Sequence, residues 1–266
     1  MDQKTAATFA ALHAGPDILV LPNAWDAASA AVMEDAGAKA VATSSAAVAW
    51  AHGYPDGDKL PLEKLLFTVS TVARAVKVPV TADIEGGYTD DLGQLSETIK
   101  AVIGAGAVGV NLEDGTREPA LHARKIEAAR KAAEAVGVAL FINARTDVYL
   151  KGLAEGEAAY AETVRRAALY RDAGASGIFA PGAAGTEVVG RLAKAIALPL
   201  NIMLWPGVPK AAELQAVGVR RVSSGASPFR AAYAGLARMT AAYLADGSGA
   251  AFANVEGLGN LNARFG

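Results

Sequence analysis

Val80-Thr-Ala-Asp83-Ile-Glu85-Gly86-Gly87-Tyr88 and, downstream, Gly109-Val-Asn-Leu-Glu113-Asp114 share one pattern, a short β-branched run that ends in carboxylates. Runs of this kind recur along the chain, beginning near Ile18, Lys39, Val78, Val108, Ala139, Gly177, Leu198 and Val219. Most are followed by an Ala-rich stretch of helical period, the pattern of repeated βα units that feed a parallel sheet. Eight such units close a barrel of about 250 residues. The sequence therefore predicts one (β/α)8 barrel of the α/β class over residues 1–246, with a tail over 247–266.

The expected helices run from Ala27 to Ala36, Leu62 to Val76, Asp91 to Ala105, Glu118 to Val136, Gly156 to Ala173 and Thr186 to Ala195. A helix from Lys4 to His13 precedes the first strand, and one from Pro228 to Leu244 forms the eighth unit. The recurring Ala-Gly-Ala at 36–38, 105–107 and 173–175 ends a helix and turns the chain tightly into the next strand, and no chemistry is assigned to it. The Gly- and Asn-rich tail is expected to be irregular.

With 52% hydrophobic residues in a chain of 266, a large core is feasible. The balance of 25 basic against 27 acidic residues, with no long single-sign run, leaves no electrostatic footprint for nucleic acid or an anionic membrane. No stretch of about 18 residues is free of polar interruption, and Met1-Asp-Gln-Lys-Thr lacks the basic-then-apolar order of a signal peptide. The expectation is a cytoplasmic protein with a small-molecule ligand. The absence of cysteine excludes disulfides, thiolate metal sites and sulfur acids or nucleophiles.

In such a barrel the active face lies at the carboxyl ends of the strands. There the sequence gathers Asn23 and Asp26, Thr43 to Ser45, Asp83 and Glu85, Asn111, Glu113 and Asp114, Asn143, Arg145 and Asp147, Asn201, and Ser223 and Ser224. Acids set in an apolar wall must be paired or metal-bound. Asp83, Glu85 and Glu113 offer only oxygen, which suits a hard cation such as Mg²⁺, with Mn²⁺ as a substitute. The alternative is that these acids pair with Arg145 or cap helices. Arg145 can present a planar fork to a substrate carboxylate or carbonyl, or pair with Asp147.

The stretch Thr43 to Asp58 reads as a long connection on the active face, or else as a plain surface loop. Small side chains at Ser45 and Ala46 would let backbone N–H groups approach an anion. Gly86 to Tyr88 and Gly115 to Pro119 are candidates for a mobile cover. His13 and His122 are read as surface residues, and His52 alone lies near the active face. Ser223 to Pro228, opening the last helix, would suit a phosphate-binding barrel, although that leaves the acids of the third and fourth strands unexplained.

Pro22-Asn-Ala-Trp-Asp26, Thr43-Ser-Ser45, Gly53-Tyr-Pro-Asp56, Thr81 to Tyr88, Asn111 to Asp114, Asn143 to Asp147 and Leu200 to Met203 occur in an order that resembles the isocitrate lyase/phosphoenolpyruvate mutase superfamily across nearly the whole chain. The resemblance implies an eight-stranded barrel, an essential Mg²⁺, 2-oxo or 2-hydroxy carboxylate substrates and an enolate intermediate. It also implies a homo-oligomer, dimer or tetramer, whose C-terminal helices are exchanged between subunits. On the same resemblance Asp83 is the direct metal ligand, and Glu85 and Glu113 hold the metal's waters. Arg145, Ser44, Ser45, Ala46 and Asn201 bind substrate, and Asp56 stands near the reacting end as a catalytic residue beside Arg145.

Two departures narrow the chemistry. The cysteine-bearing loop of the acid lyases is replaced by Glu113-Asp-Gly-Thr-Arg-Glu-Pro-Ala-Leu-His122, which also lacks the lysine pattern of the phosphonate enzymes, with Arg117 as a substitute cation. Glu85 stands where an aspartate is usual. The favoured reading is a Mg²⁺-dependent lyase or decarboxylase of a small 2-oxo acid such as oxaloacetate. The alternatives are a P–C or C–C hydrolase or mutase of phosphonopyruvate- or acylpyruvate-like compounds, and a keto-acid-binding protein without turnover.

Overall fold

The computed structural model describes residues 3–253 and 257–266. Strands β1 (Leu19–Leu21), β2 (Asn23–Ala24), β3 (Val41–Thr43), β4 (Val80–Asp83), β5 (Gly109–Glu113), β6 (Phe141–Arg145), β7 (Gly177–Phe179), β8 (Leu200–Met203) and β9 (Arg221–Ser223) form one all-parallel sheet. Its order, β1-β9-β8-β7-β6-β5-β4-β3-β2, closes on itself, because β1 and β2 are one stave interrupted at Pro22. Proline has no N–H to give a ladder, yet its carbonyl still accepts from the Ala42 amide at 3.0 Å. Eight staves with helices between them make a (β/α)8 barrel, as the spacing of the apolar runs requires.

The outer layer comprises α2 (Ala27–Asp35), α4 (Leu62–Ala75), α5 (Leu92–Gly104), α6 (Pro119–Ala135), α7 (Gly156–Asp172), α8 (Thr186–Ala195), α9 (Ala211–Ala216) and α10 (Ser227–Asp246). Alternation along each strand sends one set of side chains to these helices and the other into the barrel. On β5 and β6, Val110, Leu112, Ile142 and Ala144 join the apolar core shared with α5 and α6. The interior is more polar: Asn143 donates to Asn111 at 2.9 Å, and Arg221 reaches the same Asn111 oxygen from β9 at 3.2 Å.

Helix α1 (Gln3–Ala14) closes the amino-terminal end. Phe9 meets Phe141 edge-on at 5.5 Å, and His13 stacks on Phe141 at 3.9 Å. A Cβ at position 109 would come within 2.7 Å of the Phe9 ring and 2.9 Å of the Thr81 hydroxyl, so glycine there makes room for the plug. His13 and His122 are both buried, with burial driving each ring's pKa down to about 3, which corrects their reading as surface residues.

Two further expectations are corrected. The Thr43–Asp58 connection contains helix α3 (Ser45–Ala51), begun by the Ser44 side chain accepting from the Ala47 amide, a hydroxyl cap that apolar periodicity does not reveal. The tail contains a 3-10 turn (Gly249–Phe252) and α11 (Leu261–Phe265), the latter capped by Asn260 and tied by Arg264 to Glu34 and Asp35. Among the described residues no helix is long and apolar enough to cross a membrane.

Candidate active site

The carboxyl ends of β3 to β6 bring Asp83, Glu85, Glu113 and Arg145 to one side of the barrel mouth. Asp83 ends β4, its amide donating to the Thr43 hydroxyl at 2.9 Å and its Oδ2 accepting from the Ser45 amide at 3.1 Å. Its other oxygen, Oδ1, is buried without a hydrogen-bond partner. A buried carboxylate oxygen left bare is costly unless something absent from the bare protein occupies it.

Two residues on, the chain turns through left-handed backbone at Glu85 (φ 51°). Glu85 Oε2 accepts from the Asp58 amide, and Oε1 accepts from the Tyr88 hydroxyl at 3.2 Å. Burial, followed by repulsion from Asp56, Asp83 and Asp58, pushes this carboxyl up to about 7. Glu113 ends β5 and is paired with Arg145 Nη1 at 2.8 Å. Burial still dominates there, with Asp147, Asp83 and Glu85 adding repulsion, and the carboxyl is pushed up to about 8 against the pull of Arg145.

The Arg145 guanidinium is steered by Asp147, which accepts from Nε at 2.7 Å and Nη2 at 3.2 Å, and it stands 5.8 Å from the Phe179 ring centroid. Arg145 thus does pair with Asp147, as one reading of the sequence had it, and with Glu113 as well. Its pKa is raised by these carboxylates, so it stays charged in its pocket. Asp147 is in turn fixed by its own amide, which donates to Asp114 Oδ1 at 2.9 Å.

Ser45 and Ala46 form the first turn of α3, and the Ser45 amide is engaged by Asp83. The side chain of Ser45 holds Asp56, whose residue sits at the exposed rim while its carboxyl is raised by partial burial and by the Asp83 charge. Asn201 is buried beside Ser223, whose hydroxyl donates to Asn201 Oδ1 at 3.4 Å, and its Nδ2 has no partner. Beyond β8, a cavity of about 380 Å³ opens among Tyr149, Met203, Leu204, Trp205, Ser224 and Arg230.

Other residues of the strand-end set lie elsewhere. Asp114 faces away from the mouth, fully buried, accepting from Arg166 at 2.8 Å and Tyr170 at 2.7 Å. Asp26 caps α2, and Asn23 ties the first stave to the last by accepting from the Ser224 and Gly225 amides at 2.9 and 3.0 Å. His52 is held by Thr68 at 2.9 Å, away from the acids.

A divalent cation fits this donor set in one way. Among the described residues no three acids or histidines converge closely enough to ligate one ion together. Among the described residues Asp83 Oδ1 is the one buried carboxylate oxygen without a hydrogen-bond partner, and Glu85 and Glu113 lie close enough for its charge to raise both of their carboxyls. A single direct carboxylate with other acids at greater reach suits Mg²⁺, which keeps most of its waters.

The family described as phosphoenolpyruvate phosphomutase matches residues 9–244. A solved structure from Burkholderia cenocepacia J2315, designated a phosphonomutase, superimposes with a TM-score of 0.86 at 41% identity, covering 90% of this chain and 99% of that one. A Mycobacterium tuberculosis protein of unassigned function is 34% identical over 84% of each chain. The oxaloacetate decarboxylase of Chromohalobacter salexigens is 29% identical over 84% of this chain and 80% of its own.

Proposed function

The chain belongs to the phosphoenolpyruvate phosphomutase family, within the isocitrate lyase/phosphoenolpyruvate mutase superfamily of carbon–carbon lyases and mutases, and from that premise we propose that it is a Mg²⁺-dependent decarboxylase of a small 2-oxo dicarboxylate such as oxaloacetate. The observation that carries this reading is the bare, buried Asp83 Oδ1 facing into a ring of acids beside the Arg145 fork. The relative from Chromohalobacter salexigens that decarboxylates oxaloacetate supports it.

Asp83 would hold the ion directly, with Glu85 and Glu113 accepting from its waters. The ion, or Mn²⁺ in its place, would supply positive charge where the 2-oxo oxygen becomes an enolate oxygen. Arg145, locked by Asp147, orients the substrate carboxylate. Ser44 and the Ser45–Ala46 turn close the carboxylate end, and Asn201 offers its unpartnered amide from the far stave. Loss of CO2 leaves an electron pair on carbon, and we assign the return of a proton there to the carboxyl of Asp56, a role that its raised pKa supports.

Five residues, 114–118, join β5 to α6, and none of them is a cysteine that could act as the acid of a leaving group. Decarboxylation needs an electron sink but no acid for a leaving group. A second reading, cleavage or transfer at a P–C bond with Asp56 positioning the attacking group, draws support from the relative designated a phosphonomutase. We read the exposed apolar face of α10 as the contact surface for further copies of this chain.

The test is a panel of 2-oxo acids with Mg²⁺. Release of CO2 is expected, and release of inorganic phosphate would favour the second reading. Asp83→Ala is expected to remove turnover with the circular dichroism spectrum unchanged; full activity in that variant would sink the metal assignment.

A further inference from the structure

Asp58 (φ 58°), Glu85 (φ 51°) and Tyr88 (φ 61°) are the non-glycine residues with left-handed backbone among those described, and they touch one another. The Asp58 amide donates to Glu85, the Tyr88 amide to Asp58 Oδ1 at 3.3 Å, and the Tyr88 hydroxyl to Glu85 at 3.2 Å. Such backbone persists only where its surroundings over-determine it, and it concentrates where a chain is held for function.

Arg117 does the holding. Its Nη2 meets Asp58 Oδ2 at 3.0 Å and its Nε meets Asp90 Oδ1 at 2.7 Å, so one guanidinium joins the connections after α3, β4 and β5. The guanidinium lies against Gly86, where any Cβ would collide with it. Beneath it Lys125, wholly buried, donates to Asp90 Oδ1 and to the Thr89 carbonyl, both at 2.7 Å. None of this is needed to build a barrel. The connection that it grips carries Asp56, turns at Gly53 (φ 78°) and Gly57 (φ 98°) with open space around both, and is anchored by buried Leu60.

We propose that Arg117 is a clasp that holds the 53–60 loop down on the barrel mouth, and that it is a positioning residue acting through Asp58 on Asp56 and Glu85. The second half rests on the functional reading above; the clasp rests on geometry alone. Two acceptors in different directions call for the arginine fork, which a lysine can only half replace. The ion pairs are partly exposed, so salt weakens them.

Trypsin cleavage after Lys59 reads the loop directly, because Leu60 at the next position is buried and the bond is reached only when the loop lifts. With the protein folded, Arg117→Met is expected to speed that cleavage about tenfold and Arg117→Lys to give an intermediate rate. Added salt should raise the wild-type rate and leave Arg117→Met unchanged. Should Arg117→Met fail to fold, Asp58→Asn carries the same test. Equal rates in the wild type, Arg117→Met and Asp58→Asn would overturn the clasp.

For any 2-oxo acid turned over, Arg117→Met should lower kcat more than it raises KM, with part of the loss recovered in Arg117→Lys. Faster cleavage with both constants unchanged would overturn the positioning role. Absence of turnover with every 2-oxo acid counts against the functional reading, and the Lys59 rates then decide the clasp by themselves.

Discussion

Glu113 is pulled two ways: Arg145 favours its charged form at 2.8 Å, while burial and three neighbouring acids favour the protonated one and prevail. Glu85 leans the same way, through burial and then repulsion from Asp56, Asp83 and Asp58. Both carboxyls are raised from an ordinary 4.5, to about 7 and about 8, so the fold binds protons that the unfolded chain releases. Stability is therefore fully present below the unfolded value and is lost as pH rises through the folded ones. The metal-free protein should melt at progressively lower temperature from about pH 5 to about pH 8. Mg²⁺ should offset much of the loss, and Glu113→Gln should flatten the curve. A melting temperature constant across that window would contradict the electrostatics described here. The neighbour of Glu113 has a different fate: Asp114 turns to Arg166 and Tyr170 behind the strand. Both acids were legible only as a pair at the end of one strand. The partners of Asp114, more than 50 positions along the chain, were not.

At the scale of elements, the eight apolar runs and most of the helices between them were readable because period 2 and period 3.6 are written locally, whereas the six-residue α9 was not foreseen. Helix α3 escaped because it is short, Ala-rich and begun by a serine cap rather than by an apolar stripe. Helix α1 was expected, but not its place as the plug of the barrel, which depends on Phe9 and His13 meeting Phe141 from another part of the chain. Gly109 sits under that plug. Gly109→Ala should force Phe9 or Thr81 aside and cost roughly 1–3 kcal/mol, seen as a melting temperature lower by several degrees in calorimetry. Unchanged melting would mean that the plug yields without cost. The clasp belongs to this scale too: Arg117 was noticed in sequence as a cation, but its grip on two other connections required the barrel to bring them together.

Across the whole molecule, α10 is the element least satisfied by the monomer. Of its 20 residues Phe229 is buried, while Tyr233, Leu236, Met239, Tyr243 and Leu244 lie exposed along its length. An apolar surface of that extent normally meets a partner. Light scattering on the purified protein should give the mass of a dimer or tetramer, reduced by Leu236→Glu with Leu244→Glu; a monomer at micromolar concentration would remove the proposal. The sequence by itself determined the barrel, the carboxyl-end location of the acids and the arginine, and the family, because strand period, helix period and motif order are local properties of the chain. Only the tertiary structure decided that Asp83 keeps one oxygen bare, that Asp114 faces the helices, and that Arg117 binds three connections. Those outcomes depend on which groups, distant in sequence, come within hydrogen-bond reach once the staves close, and on how much water that closure removes.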